Sequence, residues 1–234
     1  WCTAVLFAGA VIQQIGIIGT SVTNSGFLTA LYVPLVPIVA WLLCARPAHW
    51  VVWPAAAGSL LGTWLLGGAR FADVTTGDLW VMLSAVFWAF QVTLVGLHAA
   101  RSGRPLTLAA VQFAGCGGLA VAAAAVFEPL SLAAVRAAAP ELLYAGGLSV
   151  GVAFTLQVVG QRYTHPATAA IIMSSEAVFA ALAGAMVLGE SLGLLGLAGA
   201  ALILTSLIAV ELIPLLWPHP GQSGAAGISG KPSA

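Results

Sequence analysis

One acidic side chain lies deep within an apolar stretch of this chain. Glu176 lies about nine residues into the run from Ala167 to Leu188, which is long enough to cross a bilayer as a helix. A carboxylate at that depth costs at least about 3 kcal/mol, so such residues usually face a partner or a watery cavity. Glu176 could bind a proton or the cationic group of a solute. It could instead be a protonated hydrogen-bonding group between helices.

Several amides share this environment, where each must find a partner or line a wet cavity. The intramembrane glutamines are Gln13, Gln14, Gln91, Gln112, Gln157 and Gln161. Gln157, Gln161 and Thr164 are spaced i, i+4, i+7 and therefore share one helix face. Each amide alone fits an interhelical hydrogen bond, worth about 0.6 kcal/mol on average. As a group, Gln13, Gln91, Gln157 and Gln161 are predicted to form a substrate or proton site with Glu176.

Aromatic residues could supply the apolar walls that solute-binding pockets usually have. The aromatic candidates are Tyr32, Trp88, Phe154 and Phe179. Core or lipid-facing packing is the alternative for each of them. We include Tyr32 and Trp88 in the predicted site.

Enzyme chemistry finds little support in the sequence. Residues 147–151 match the Gly-x-Ser-x-Gly pattern of hydrolase nucleophiles, but that motif needs a strand-to-helix turn and these residues lie in an apolar helical run. The histidines and cysteines lack metal-ligand spacing, and no phosphate-binding loop occurs. We therefore predict no enzyme, no metal and no cofactor. A net charge of zero argues against nucleic acid as a partner.

The composition requires lipid as the main solvent. Hydrophobic residues make up 61% of the chain and charged residues only 6%, with a mean hydropathy of +1.06. A soluble domain carries about a quarter charged residues. Eight apolar spans of membrane-crossing length are predicted at 1–18, 26–44, 50–67, 79–99, 106–127, 138–160, 167–188 and 192–213. The predicted fold class is therefore all-α, a polytopic transmembrane helical bundle.

The basic residues predict the orientation of the bundle. If the first span begins in the cytoplasm, the cytoplasmic loops hold Arg46, Arg101, Arg104 and Arg162, and the tail holds Lys231. Cytoplasmic loops carry an excess of such residues. We predict a multi-pass protein of the inner membrane with a cytoplasmic C-terminus.

A shift of 144 residues aligns the two halves of the sequence. Gln13, Gly16 and Thr20 fall on Gln157, Gly160 and Thr164. Five spans separate equivalent positions, and an odd number reverses direction, so the halves would be inverted repeats. Secondary transporters often have this plan, with the substrate site at the interface between the repeats.

The repeat predicts a division of the chain. Residues 1–77 would be the last three helices of the first repeat, 78–213 the complete second repeat, and 214–234 a disordered tail. Two spans, about sixty to seventy residues, would then precede Trp1 in a ten-span protein. The last span of each half has almost no central polar group, which predicts a peripheral position or a homodimer contact.

Two stretches carry a resemblance to a known family. Gly146 to Gln161 is followed by Ser174-Ser175-Glu176-Ala177 and Leu188-Gly189-Glu190, and the first half has Gly26 to Pro34 and then Arg46-Pro47. Over roughly residues 5–213 the sequence resembles an EamA-type permease of the drug/metabolite transporter superfamily. The resemblance implies a ten-helix inner-membrane transporter of two inverted five-helix repeats, which exports or exchanges small metabolites.

One position departs from the family pattern. Members often have proline directly after the glutamate that Glu176 matches, and this chain has Ala177. The absence of proline predicts a straighter helix here.

The functional interpretation is a proton-linked secondary transporter of small organic solutes, an exporter or exchanger working by alternating access. A related alternative is an exchanger in which Glu176 binds substrate and no proton moves. From another class, the chain could be a non-transporting scaffold or accessory subunit. A continuous polar cavity reaching Glu176 favours transport, whereas scattered and individually satisfied glutamines favour the scaffold.

Overall fold

The computed structural model describes residues 1–44, 48–69, 74–127, 131–188 and 193–217, and across these residues the chain is helical with no β-strand. Six of the described helices are long and apolar enough to cross a membrane, and two shorter apolar helices accompany them, Cys2–Ile18 and Val52–Leu66. These eight match the eight predicted spans. The predicted all-α transmembrane bundle is confirmed.

The helices have the following bounds. In chain order they are α1 (Cys2–Ile18), α2 (Val22–Thr29), α3 (Tyr32–Cys44), α4 (Val52–Leu66), α5 (Thr76–Ser102), α6 (Pro105–Phe127), α7 (Leu132–Ala137), α8 (Ala139–Leu143), a π-helix (Tyr144–Phe154), α9 (Thr155–Gln161), α10 (Pro166–Met173), α11 (Glu176–Leu188) and α12 (Leu194–Leu216). The Gly-x-Ser-x-Gly residues lie inside the π-helix, so they form no strand-to-helix turn. The final helix continues to Leu216, past the predicted end at 213.

The outside of the bundle is apolar. Leu42, Phe127 and Met186 are 69%, 84% and 86% exposed, and many other large apolar side chains are exposed with them. In water such a surface would drive aggregation, whereas hydrocarbon solvates it without cost. The described chain is therefore a multi-pass membrane protein.

Two of the spans consist of two helices each. The apolar stretch Asn24–Leu43 contains α2 and α3, and the stretch Pro166–Val187 contains α10 and α11. The second helix of each pair begins at Tyr32 and at Glu176, and these positions differ by the predicted repeat offset of 144 residues. The two breaks thus lie at positions that the predicted repeat makes equivalent.

Helices α1 and α5 pack closely near one end of the bundle. A Cβ atom at Gly16 would lie 2.8 Å from the backbone oxygen of Gly77, so only glycine allows this approach. Asp78 is buried there and accepts hydrogen bonds from the Thr75 N–H at 2.7 Å, the Thr75 hydroxyl at 2.9 Å and the Thr20 hydroxyl. Because the Asp78 N–H also donates to the Thr75 hydroxyl, a capping box begins α5.

The last span of each half packs against the other. In this α4–α12 contact, a Cβ atom on Gly62 would lie 2.7 Å from the backbone oxygen of Gly199. Small residues allow transmembrane helices this kind of close approach. The two spans predicted to be peripheral or dimeric therefore contact each other within the chain.

Some predicted features lie outside the described residues. These are the charged turns at Arg46, Asp73, Glu128 and Glu190, and the tail with Lys231.

The main core lies between α3, α4, α5 and α10, where Val36, Ala89 and Ile171 are fully buried. This core supports the two interrupted spans against α5.

Candidate functional site

Glu176 is the first residue of α11, directly after the break in its span. Its side chain is exposed, and it lines four cavities among the described residues. An acidic residue at this position also interacts favourably with the positive end of the α11 dipole. The break thus places a carboxylate in the middle of the molecule and leaves it accessible.

Two serines form the break before Glu176. The Ser174 hydroxyl donates to the Ile171 carbonyl at 2.6 Å, and the Ser175 hydroxyl donates to the Ile172 carbonyl at 2.7 Å. The Ser175 N–H donates to the Ile172 carbonyl, an i to i+3 bond that tightens the chain into a turn. Serine hydroxyls can replace the backbone bonds that a transmembrane break would otherwise lose. The span is therefore interrupted before Glu176 although no proline follows that residue.

A central cavity of about 200 Å³ lies between the two interrupted spans. Its lining residues are Gln13, Thr29, Tyr32, Trp88, Val92, Phe154, Gln157, Met173 and Glu176. Three pairs among them differ by 144 residues: Gln13 with Gln157, Thr29 with Met173, and Tyr32 with Glu176. Positions that the predicted repeat makes equivalent therefore meet in one cavity, as expected if the two halves are inverted repeats.

A chain of hydrogen bonds fixes one wall of the central cavity. The Trp88 indole N–H donates to Gln13 Oε1 at 2.9 Å, and Gln13 Nε2 donates to the Thr29 hydroxyl at 2.9 Å. The Thr29 hydroxyl donates in turn to the Ser25 carbonyl at 2.7 Å. The orientation of the Trp88 indole is thus set by the backbone of α2, and both ends of the Gln13 amide are occupied.

Two vestibules approach Glu176 from different directions. The α9 vestibule, about 350 Å³, is lined by residues that include Gln157, Gln161 and Thr164. The α2 vestibule, about 180 Å³, is lined by residues that include Gln13 and Ser25. Gln13 and Ser25 are the repeat equivalents of Gln157 and Ala169, which also lines the α9 vestibule.

A further opening extends the α2 side towards the end of the bundle. The α4 vestibule, about 570 Å³, shares Gly26, Thr63 and Glu176 with the α2 vestibule and reaches Leu66 at the end of α4. The span that contains α9, Ala139–Gln161, is the third span after α4. Because an odd number of crossings reverses direction, it runs antiparallel to α4. The ends of α4 and α9 therefore lie at opposite faces of the bundle, and cavities from both faces reach Glu176.

The structure brings most of the predicted site residues together. Gln13, Tyr32, Trp88, Gln157 and Glu176 all line the central cavity, and Phe154 lies with them. Phe179 lines the α9 vestibule.

Two predicted amides are placed differently. Gln161 lines the α9 vestibule, and its NH₂ group donates to the Val92 carbonyl at 3.4 Å. Gln91 is 1% exposed, lines none of the cavities described above, and its amide has no hydrogen-bond partner among the described residues. The structure therefore separates Gln91 from the cavity.

Four residues of the site were not predicted from the sequence: Thr29, Met173, Ser174 and Ser175. The available signal was the repeat itself, because Thr29 and Met173 are 144 residues apart and each lies three positions before Tyr32 or Glu176. The offset of 144 residues, applied to the residues around Glu176, would have identified the equivalent residues around Tyr32.

No lysine or arginine lines the four cavities around Glu176 within the described part of the chain. The described residues also contain no group of three or more His, Cys, Asp or Glu side chains that could hold a metal ion. The carboxylate consequently has no fixed countercharge in its cavities. A proton or a cationic solute group would supply one.

Comparison with known proteins is consistent with this architecture. The model of the EamA-like transporter family matches residues 75–212. A protein of Archaeoglobus fulgidus, named as an uncharacterized transporter, is 32% identical over 206 residues, which are 88% of this chain and 66% of that protein. The chain thus spans just under two thirds of the length of this relative. A crystal structure of a protein with 18% identity has the same fold, with a TM-score of 0.72 over 91% of this chain and 74% of its own.

Proposed function

Because this chain belongs to the EamA-like transporter family, we propose that it carries small organic solutes across the membrane by alternating access, as an exporter or exchanger. Glu176 would be the residue that binds the solute or a coupled proton. Gln157, Gln13, Tyr32 and Trp88 would form the rest of the binding site.

The main support for this proposal is that cavities from both faces of the bundle reach Glu176. A carrier needs one site that each face can reach in turn, and inverted repeats supply two related routes to it. A scaffold would need neither vestibule, and its polar groups would be satisfied in pairs. The open vestibules at Glu176 therefore favour transport over a scaffold role.

The chemistry of the site favours a solute with a positive charge or a step that moves a proton. Glu176 lies among amide and aromatic side chains, and the described cavity linings offer no basic residue to neutralise it. A proton could neutralise Glu176 while the empty carrier reorients, and an amine could replace that proton when solute binds. In the alternative without coupling, solute exchanges for solute and the proton takes no part.

Alternating access would use the two breaks as hinges. The outer parts of the interrupted spans, α2 and α11, could move relative to α3 and α10, which pack in the core. Hinges are usually a few element-terminal residues that absorb the backbone change. The tight α4–α12 contact would serve as the fixed support for this motion.

Solute flux and charge movement in proteoliposomes test the proposal. The panel would contain amino acids, amines and purines, each measured with and without an imposed pH gradient. We expect at least one solute to be transported in a gradient-dependent way, and Glu176→Gln to lose that dependence while remaining folded. Glu141→Gln is the matched control, because Glu141 is exposed on α8 and lines none of the cavities around Glu176.

The outcomes separate the alternatives. Flux that is independent of pH but lost in Glu176→Gln would indicate exchange without proton coupling. Full gradient-dependent activity in Glu176→Gln would rule out the coupling role. No flux from folded protein across the panel would favour the scaffold.

A further inference from the structure

An apolar cavity lies beside the central cavity and is not used by the chemistry described so far. This annex, about 330 Å³, lies between α1, α5, α6 and the π-helix. Leu6, Phe113, Gly117 and Val150 are among its lining residues, and almost all of the lining is apolar. Its volume falls within the range of about 300–1,000 Å³ that is typical of small-molecule sites.

Two aromatic side chains line both the annex and the central cavity. Trp88 and Phe154 belong to both linings, so the two spaces are neighbours across these rings. The Trp88 indole is fixed by its hydrogen bond to Gln13. Phe154 makes an edge contact with Phe113, with ring centroids 6.3 Å apart and an interplanar angle of 84°. Polar groups therefore lie on one side of the aromatic pair and an apolar space on the other.

We propose that the annex receives the apolar end of the solute, and that the solutes carried are amphipathic amines. This inference rests on the proposed function, since the amine head would bind at Glu176 and Gln157. The tail would extend past Trp88 and Phe154 into the annex. A solute with a charged head and an apolar tail matches the polar cavity on one side of the pair and the apolar space on the other.

The annex offers a matched pair of variants. A Cβ atom at Gly117 or at Gly118 would meet no heavy atom within 4 Å, so both positions accept a larger side chain without a backbone clash. Gly117 lines the annex and Gly118 does not. Gly117→Phe therefore places a ring in the annex, whereas Gly118→Phe adds the same ring to the adjacent position of the same helix.

The test is calorimetric titration of the purified full chain with primary alkylamines from propylamine to heptylamine, corrected by titration of empty detergent micelles. Each methylene buried in an apolar site should tighten binding by about fourfold. We expect this increment in the unmodified protein and in Gly118→Phe, and its loss in Gly117→Phe. Glu176→Gln should weaken binding of every amine in the series alike.

The outcomes distinguish this inference from the function on which it rests. Equal increments in Gly117→Phe and Gly118→Phe, with all binding still dependent on Glu176, would overturn the annex and leave the head site in place. Failure of every amine to bind folded protein, or binding unchanged in Glu176→Gln, would overturn both. Loss of the increment in Gly117→Phe alone would establish the annex as the tail site.

Discussion

The two halves of the molecule use equivalent residues in different ways. In the first half, Gln13 is held by Trp88 and Thr29, and Thr20 donates to Asp78. In the second half, no hydrogen bond from a described residue reaches the Gln157 amide, and Thr164 lines the α9 vestibule. Among the described residues, the first copy of the pattern is hydrogen-bonded to neighbouring helices, whereas the second lines a cavity.

The same contrast extends to the backbone and to the breaks. Gly16 allows the close approach of α5, whereas a Cβ atom at Gly160 would meet nothing within 4 Å. Tyr32 is 6% exposed, and its equivalent Glu176 is exposed to the cavities. Within the described residues, positions related by the predicted repeat thus differ in their packing, although both members of the Gln13–Gln157 and Tyr32–Glu176 pairs line the central cavity.

The largest expected difference concerns the residues at the two breaks. Glu176→Gln removes the carboxylate and should lower coupled flux by about a hundredfold or more, a loss of roughly 3 kcal/mol in transition-state stabilisation. Tyr32→Phe removes only a hydroxyl from the equivalent position and should lower flux by less than about tenfold. Initial rates of flux in proteoliposomes would measure both. Equal losses of flux in Glu176→Gln and Tyr32→Phe would mean that both break residues take part equally in transport.

The repeat-related glycines should respond to alanine with opposite signs. A Cβ atom at Gly16 would lie 2.8 Å from backbone atoms of Gly77 and Val81, so Gly16→Ala should destabilise the protein by about 1–3 kcal/mol. Gly160→Ala has free space and gains helix propensity, so it should stabilise by about 0.5–1 kcal/mol.

Thermal unfolding in detergent would measure this pair of variants. Destabilisation by Gly160→Ala as large as that by Gly16→Ala would contradict the expected difference between the two glycines.

Substitution of the two repeat-related glutamines, Gln13 and Gln157, should have different effects on stability. Gln13→Leu removes the acceptor of the Trp88 indole and the donor to Thr29, and should cost about 1–2 kcal/mol of unfolding free energy. Gln157→Leu breaks no hydrogen bond between described residues, so its stability should change little while solute affinity falls about tenfold. Unfolding and solute titration on the same preparations would decide. A stability loss in Gln157→Leu as large as in Gln13→Leu would contradict the contrast.

The eight spans and the position of Glu176 beside a polar cavity could be predicted from the sequence, because each depends on composition or spacing, whereas the repeat and the role of Glu176 stay predictions. The burial of a charge in an apolar run is visible without coordinates. The break at Ser174 and Ser175 was not predicted, because side-chain hydrogen bonds replaced the expected proline signal. Serine is common in transmembrane helices for other reasons, so its presence does not distinguish a break from continuous helix.

The placement of the glutamines also depends on tertiary structure. Spacing places Gln157 and Gln161 on one face, and both line the α9 vestibule. Spacing cannot show which neighbour a lone amide meets, and Gln91 is buried and lines none of the cavities around Glu176. The annex could not be predicted from the sequence either, because residues of four separate elements form it.

The smallest expected effect concerns the helix caps that begin the two interrupted spans. Ser21 caps α2 by accepting a hydrogen bond from the Asn24 N–H at 3.1 Å, and its repeat equivalent His165 caps α10 by accepting from the Ala167 N–H at 3.3 Å. The His165 cap needs an unprotonated Nδ1, whereas the Ser21 cap has no titratable group. Partial burial of the ring lowers the pKa of His165 below its ordinary value of about 6.5.

Of these two caps, only the His165 cap should therefore make stability depend on pH. The unfolded chain binds the His165 proton at a higher pH than the folded chain does. The contribution of the cap is thus complete above about pH 6.5 and is lost as the pH falls towards the lowered pKa. His165→Ser replaces the cap with the residue type found at Ser21, and should flatten the fall in unfolding temperature between about pH 6.5 and pH 5. An unchanged pH profile in His165→Ser would show that another group dominates the acid sensitivity.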